Sequence, residues 1–418
     1  MKSFRNIPEL LLPAGNLDKL NIAYLYGADA VYCGVPRYSL RARENEFSME
    51  DLHTAVTIAR NLKKKIYFTV NNIPRNSKLG SYHKYLEQMV SLKPDALIMA
   101  DPGLIHITKN AYPELEIHIS VQTNTMNYAA VEFWKTYGAK RVILSREVSI
   151  PEIKEIKDKV PDMEIEVFVH GSICIAHSGR CFMSNYFKNR DANQGSCNNA
   201  CRDLYKVYVT NPKQNDEPME LITDEDGTFL MNSKDLRAIE FLQELCDAGV
   251  DSLKVEGRTK NDFYVGMVAR SYRKTLDGIK RGESFDRKWL EELDKLSSRK
   301  YFSGFLTRGM EDQIPVEEQN FQNNEFGTSL QKTHHYVGLV KEYQQKNQRV
   351  IIEVKNKIEM GDVLEVINPL SEDVVPFVVN EMYYKNNLVN VVSGGIGFAE
   401  ITVPFSIAKQ SFLTKRIS

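Results

Sequence analysis

Short apolar runs alternate with amphipathic stretches over the first two thirds of the chain. Runs rich in Val, Ile and Leu recur at Leu10 to Ala14, Ala30 to Gly34, Lys65 to Asn71, Ala96 to Asp101, Glu116 to Gln122, Arg141 to Ser145, Glu164 to Val169 and Ser252 to Glu256. The first seven start about twenty to thirty-five residues apart, the length of one strand, loop and helix, and eight such units close a (β/α)8 barrel. One intervening segment shows the periodicity. Leu52, Ala55, Val56, Ala59 and Leu62 recur at three- and four-residue steps and are predicted to face the barrel, with Arg60 and Lys63 outward. An open doubly wound sheet is the competing architecture, but LLLPAGN follows the first strand in place of a G-x-G-x-x-G fingerprint. The expected class is α/β, a TIM-like barrel.

The gap between the seventh and eighth runs is much longer than one unit. It predicts an insertion at about 171–232, hanging over the C-terminal mouth where barrels of this kind keep their active sites. Within it, YKVYVTN and MELITDEDGTFLMN read as short strands with a turn at Asp224 to Gly227, before a helix near Lys234 to Leu245. The barrel domain is expected to span 1–310. Residues 311–330, rich in Asn, Gln and acidic residues, read as a linker. Residues 331–418 carry short alternating strands (HYVGLV, RVIIEV, GDVLEVI, VVPFVV, LVNVV) and predict a small all-β barrel.

Composition narrows the function classes. A hydrophobic share of 42% excludes disorder, and 54 Lys and Arg against 55 Asp and Glu exclude a general polyanion binder. Any nucleic-acid contact must rest on a local patch. The apolar run Leu10 to Leu12 is too short for a signal-peptide core, and no stretch approaches the ~18 apolar residues of a membrane span. The expected location is the cytoplasm, without a membrane partner. In that reducing compartment a dense cysteine group points to metal or redox chemistry ahead of a disulfide pair.

Four of the six cysteines fall in HGSICIAHSGRCFMSNYFKNRDANQGSCNNACR, residues 170 to 202. Six residues separate Cys174 from Cys181, fifteen separate Cys181 from Cys197, and three separate Cys197 from Cys201. Four thiolates can hold a tetrahedral zinc or a 4Fe-4S cluster. Neither close pair has the two-residue gap of a zinc knuckle, which favours iron–sulfur and leaves zinc as the alternative. Gly171, Gly179 and Gly195 let the backbone wrap closely, and Arg180, Arg190 and Arg202 offset the thiolate charge. Four cysteine ligands suit electron transfer or structure, so the iron is not expected to bind substrate. Cys33 and Cys246 read as small buried hydrophobes.

Glu166-Val-Phe-Val-His-Gly-Ser-Ile-Cys174, followed by Gly179-Arg-Cys181-Phe-Met-Ser184, resembles the signature of the U32 family, long labelled collagenase-like peptidases. LLLPAGNLDKL, YSLRARENEFS, NRDANQGSCNNACRDLY and DSLKVEGRTK resemble the same family, so the likeness covers most of the chain. Chain size, the C-terminal domain and NRDANQGSCNNACR are most similar to its tRNA-hydroxylating members. That resemblance implies 5-hydroxylation of the wobble uridine of tRNA, a requirement for prephenate, and an iron–sulfur cluster on Cys174, Cys181, Cys197 and Cys201. It also admits a second U32-family protein as a partner. A U32-type peptidase and a metal-stapled, non-catalytic binding protein are the other readings. Neither G-x-S-x-G nor H-E-x-x-H occurs, which leaves Cys174 with His170 or His177 as the peptidase arrangement to test.

Strand C-termini supply the catalytic groups of such barrels. Asn71, Asn72, Asp101, Gln122, Asn124, Arg146, Glu147, His170, Glu256 and Arg258 follow the predicted strands. Asn71, Arg146, His170, Glu256 and Arg258 are the expected catalytic set, with Arg41, Arg43, Gln122, Arg180 and Arg190 binding substrate. Carboxylates serve proton transfer, and guanidiniums suit the two carboxylates of prephenate. Tyr186 and Phe187, with Lys188 and Arg190, either stack and hold a nucleotide or pack the insertion against the barrel. Glu166, within a strand, needs a buried cationic partner such as an arginine.

Overall fold

The computed structural model describes residues 7–40, 47–173, 176–188, 190–203, 207–209, 219–221, 233–310, 333–369 and 371–417. Seven strands follow one another in the sheet: β1 (Glu9–Ala14), β2 (Ala30–Gly34), β3 (Lys65–Val70), β4 (Ala96–Met99), β5 (Ile117–Ile119), β6 (Arg141–Ile143) and β7 (Glu164–Ser172). In the insertion, β8 (Val207–Val209) and β9 (Met219–Leu221) form an antiparallel pair, and the expected turn at 224–227 lies outside the described residues. β10 (Asp235–Arg237) runs antiparallel to the end of β7. β11 (Ser252–Val255) pairs in parallel with both β1 and β7, closing an eight-stranded barrel. Every barrel strand stands where the apolar runs place it.

Sequence punctuation fixes the units. Asp29, Asp95 and Asp251 each stand just before a strand and accept the amide of a residue in the preceding barrel strand: Leu10 at 3.0 Å, Ile66 at 2.8 Å and Ile165 at 2.8 Å. Ser48 and Asp51 form a reciprocal capping box on the helix Met49–Asn61, which buries Leu52, Ala55, Val56 and Ala59 as predicted. Leu62 departs from the expectation. It is the C-cap and is exposed, because the chain leaves the helix there and turns through Lys63 at φ 54°.

The helix expected near Lys234 to Leu245 starts late, with a 3-10 turn at Ile239–Phe241 and an α-helix at Leu242–Asp247. β7 extends to Ser172 and offers an open edge, which β10 takes; β12 (Tyr301–Phe302) then pairs in parallel with β10. A buried Asp235–Arg299 ion pair holds this addition. Backbone bonds offered by the tertiary structure override the local helical pattern.

The barrel interior is ionic where such barrels usually stack Val, Ile and Leu. Arg141 Nη1 lies 2.7 Å from Glu9 Oε1 and 3.0 Å from Glu166 Oε2, and its Nε lies 2.9 Å from Glu164 Oε2. β6 and β1 are not neighbours in the sheet, so this contact crosses the interior. Lys254 Nζ reaches Glu166 Oε1 at 2.7 Å, and the Tyr67 hydroxyl donates to Glu9 Oε2 at 2.8 Å. Glu166 thus has two cationic partners, not one. Burial alone would raise its carboxyl pKa, yet Lys254 and Arg141 hold it below the usual range.

Strict alternation along β7 would put His170 on the same inner face as Glu166. The β7–β11 ladder shifts register between Lys254 and Val255, so Val255 pairs with His170 and Val169 is skipped. The Val169 carbonyl instead accepts Ala238 N at 2.9 Å and the Tyr272 hydroxyl at 2.8 Å. His170 is consequently buried against the rings of Tyr264, Tyr272 and Tyr301, with Nδ1 3.2 Å from the Tyr272 hydroxyl. Burial, reinforced by Arg237 and Lys260, pushes its pKa down to about 3.

The C-terminal domain is an eight-stranded antiparallel sheet plus a two-stranded ladder of Ile358–Glu359 with Val391–Val392. Among the described residues its edge strands, Val374–Val378 and Asn387–Leu388, do not pair with each other, so hydrogen bonding leaves the expected barrel open. The sheet shares a core with the helix Asp262–Arg281. Phe412 stacks on Tyr26 at 4.8 Å and meets Phe263 edge-on at 5.2 Å. Arg270 is buried there, on Glu292 and the carbonyls of Ser371 and Glu372. No described helix is long and apolar enough to cross a membrane.

Replacing Arg141 with Met leaves Glu9 and Glu164 only the more exposed Lys65 and Lys140, strips buried Glu166 of one of its two cations, and is expected to cost about 3–5 kcal/mol, read from the urea midpoint. His170 gives a pH signature. Its folded pKa lies below the unfolded value of about 6.5, so its contribution is full above that pH and is lost as pH falls toward 3. Between about pH 6.5 and 4.5 stability should drop by up to about 1.4 kcal/mol per unit from this residue. The His170→Gln variant should show a shallower slope in urea titrations over that window.

Candidate active site at the barrel mouth

One cavity, open to solvent, occupies the mouth. Its floor includes Tyr32, Thr69, Phe168 and Lys254; its rim includes Asn71, Gln122, Arg146, Glu256 and Arg258; its roof includes Cys181, Met183, Ser184, Cys197 and Cys201. Residues from the first strand pair to the last, and from the insertion, therefore meet at one place.

The rim residues divide by what they touch. Asn71 Oδ1 accepts Leu40 N at 3.0 Å, while Arg258 Nη1 donates to Ser39 Oγ at 2.9 Å and Thr69 Oγ1 at 3.3 Å, and its Nη2 to the Leu40 carbonyl. These two residues fix the chain after β2. Arg41 and Arg43, next along it, lie outside the described residues. Arg146 holds its guanidinium 4.1 Å over the Phe168 ring, with Nη2 3.7 Å from Glu256 Oε2. Gly171, at φ +108°, lets the chain pass Glu256: a Cβ there would lie 2.4 Å from the Glu256 carbonyl oxygen.

Two loops, after β5 and after β6, staple the insertion to the mouth. Asn124, in the left-handed region at φ 56°, donates from Nδ2 to the His177 carbonyl at 3.0 Å and lies 2.7 Å from its Nδ1. Glu147 accepts the amide of Ser178 at 2.7 Å and also its hydroxyl. Arg180 Nε donates to the Gln122 carbonyl at 2.7 Å. His177 and Arg180 thus position the insertion, and Arg190 is exposed outside the cavity lining. Asp101 caps the helix Pro102–Ala111 through Leu104 N.

The cysteine sulfurs attract donors. Met183 N lies 3.4 Å from Cys181 Sγ; Asn199 N lies 3.4 Å and Ser184 Oγ 3.6 Å from Cys197 Sγ. Cys174 lies outside the described residues, among which no group of three or more His, Cys, Asp or Glu is arranged to hold a metal ion. Cys33 is fully buried in the core, its thiol pushed up to about 12 by burial, and Cys246 is half-buried against the core. Phe182 and Tyr186 are 76% and 84% exposed, so they do not pack the insertion onto the barrel; Phe187 is 52% exposed.

Lys254 and Phe168 are the site residues that strand-end reasoning passes over. Alternation carries their signal: in Ser252-Leu-Lys-Val-Glu256 it sets Lys254 on the inner face one step below Glu256, and in Glu166-Val-Phe168 it sets Phe168 on the same face as Glu166. Burial lowers the Lys254 pKa, and Glu166 opposes that shift.

The model described as peptidase family U32 matches residues 15–314, and that described as peptidase family U32 C-terminal domain matches residues 332–412. The chain is 45% identical over 401 residues to tRNA hydroxylation protein P of Escherichia coli, covering 87% of this chain and 86% of that protein. It is 41% identical over 441 residues to the protein of the same name from Haemophilus influenzae, covering 96% and 94%. To tRNA hydroxylation protein P1 of Bacillus subtilis it is 40% identical over 372 residues, covering 88% and 85%. The closed barrel with its cysteine-bearing roof falls within the first matched segment and the antiparallel sheet within the second, and the chain belongs to peptidase family U32.

Proposed function

We propose that this chain hydroxylates the 5-position of the wobble uridine in tRNA, with prephenate as co-substrate and a 4Fe-4S cluster on Cys174, Cys181, Cys197 and Cys201. The observation that carries the reading is the meeting of three of these cysteines with Arg146, Glu256 and Lys254 around one cavity. Kinship with the tRNA hydroxylation proteins supports the substrate and the reaction class. Amide and hydroxyl donors at the Cys181 and Cys197 sulfurs fit thiolate ligands, whose charge such bonds stabilise. When bound, the cluster supplies electron transfer.

The chain's own groups do the rest. Arg146 offers a planar fork to a carboxylate, and Glu256 beside it is placed to accept a proton. Asn71 and Arg258 hold the loop after β2 in register with the rim. A wobble base must leave its stack to enter the cavity, and Phe182, Tyr186 and Phe187 offer exposed rings beside the roof for stacking, with Lys188 and Arg190 for phosphates. A peptidase dyad finds no support among the described residues. His170 is enclosed by tyrosines, His177 is held by Asn124, and neither lines the cavity.

Nucleoside analysis of tRNA tests the reading. A deletion strain should lack 5-hydroxyuridine and its derivatives, and the wild-type gene should restore them. Arg146→Ala should lower the product at least tenfold with the protein still folded, and Cys197→Ser should abolish both the product and the brown colour of anaerobically purified protein. Unchanged tRNA in the deletion strain, or a colourless zinc protein, would refute the proposal.

A further inference from the structure

Two cations on the cavity wall have hydrogen-bonding capacity that the protein leaves unspent. The Lys254 side chain is 5% exposed, and its ammonium donates to Glu166 Oε1 at 2.7 Å. An ammonium has three donors. Among the described residues no second acceptor meets it; the Tyr32 and Phe168 rings stand 4.5 and 5.6 Å away. The Arg146 side chain is 11% exposed, and among the described residues its guanidinium makes no hydrogen bond, only the 3.7 Å approach to Glu256. A buried charge with unused donors is costly unless something completes its shell. Arg258, by contrast, gives its donors to Ser39, Thr69 and Leu40 and is committed to the fold.

We propose that Lys254 on the cavity floor and Arg146 on its rim, both set against the Phe168 ring, form an anion subsite that takes a carboxylate of a small organic acid. The inference rests on reading this cavity as the place where a carboxylate co-substrate binds, and it names Lys254, not Arg258, as the second cation. A polynucleotide backbone does not reach a floor where the ammonium is nearly enclosed, whereas a planar carboxylate matches the guanidinium fork. The Phe168 ring, which both cations approach, adds apolar lining to the cavity for the acid's carbon skeleton. Glu166 keeps the ammonium charged while the subsite is empty.

The test is calorimetric titration of the anaerobically purified holoprotein with prephenate and, separately, with uridine 5′-monophosphate. Wild type should bind prephenate, and Lys254→Met should weaken that binding at least tenfold with an unchanged circular dichroism spectrum. The double variant Glu166→Gln/Lys254→Met, which removes both members of the pair together and so protects the fold, should bind as weakly as Lys254→Met. If the double variant binds like wild type, Lys254 is only the counterion of Glu166 and the subsite is overturned. Lys254-dependent binding of the nucleotide instead of prephenate, or binding of neither probe, overturns it as well. Missing 5-hydroxyuridine in complemented cells alongside Lys254-dependent prephenate binding would refute the proposed function while leaving the subsite in place.

Discussion

One buried carboxylate, Glu166, ties together two cations at two depths of the barrel. Arg141, shared with Glu9 and Glu164, closes the lower end; Lys254 stands above it at the cavity floor. Charges buried in this way are held by mutual pairing, and removing one member strands the others. An apolar layer of the same volume would be as stable or more so, so stability alone does not account for the ions. What the pairing does achieve is to present a fixed ammonium to the cavity from a strand, the most rigid part of the scaffold.

The roof depends on a different kind of constraint. Its cysteines sit on irregular backbone with short 3-10 turns, where few regular ladders fix position. Asn124 and the Gln122 carbonyl, from the loop after β5, and Glu147, from the loop after β6, supply the fixing, each bonded to the stretch His177 to Arg180. Several polar residues expected to do chemistry therefore act as fasteners. Asn71 and Arg258 do the same for the segment after β2, while Arg146, Glu256 and Lys254 are charged residues of the cavity lining.

Much of this was readable from residue order. Eight apolar runs gave eight strands, and the polar ends of those runs gave the rim, because β/α units place strand C-termini at one face. The misreadings share one origin, which is long-range pairing. His170 left the inner face because a single skipped residue in the β7–β11 ladder turned it outward. Asp235 to Arg237 joined the sheet because β7 overran its barrel partners and left an edge to fill. Leu62 ended up exposed because the helix stopped one residue before it.

By itself the sequence determined the barrel, the all-β character of the C-terminal segment and the grouping of cysteines. Each of these follows from local periodicity, spacing or composition, which act over a few turns of chain. Only the tertiary structure decided which polar groups have donors to spare. That property depends on who sits across the barrel: Ser39 and Thr69 against Arg258, Glu166 beneath Lys254, Phe168 under Arg146. The hydrogen-bonded partners among these are separated by 88 to 219 residues in the chain and are set by closure of the sheet, and no local pattern encodes them.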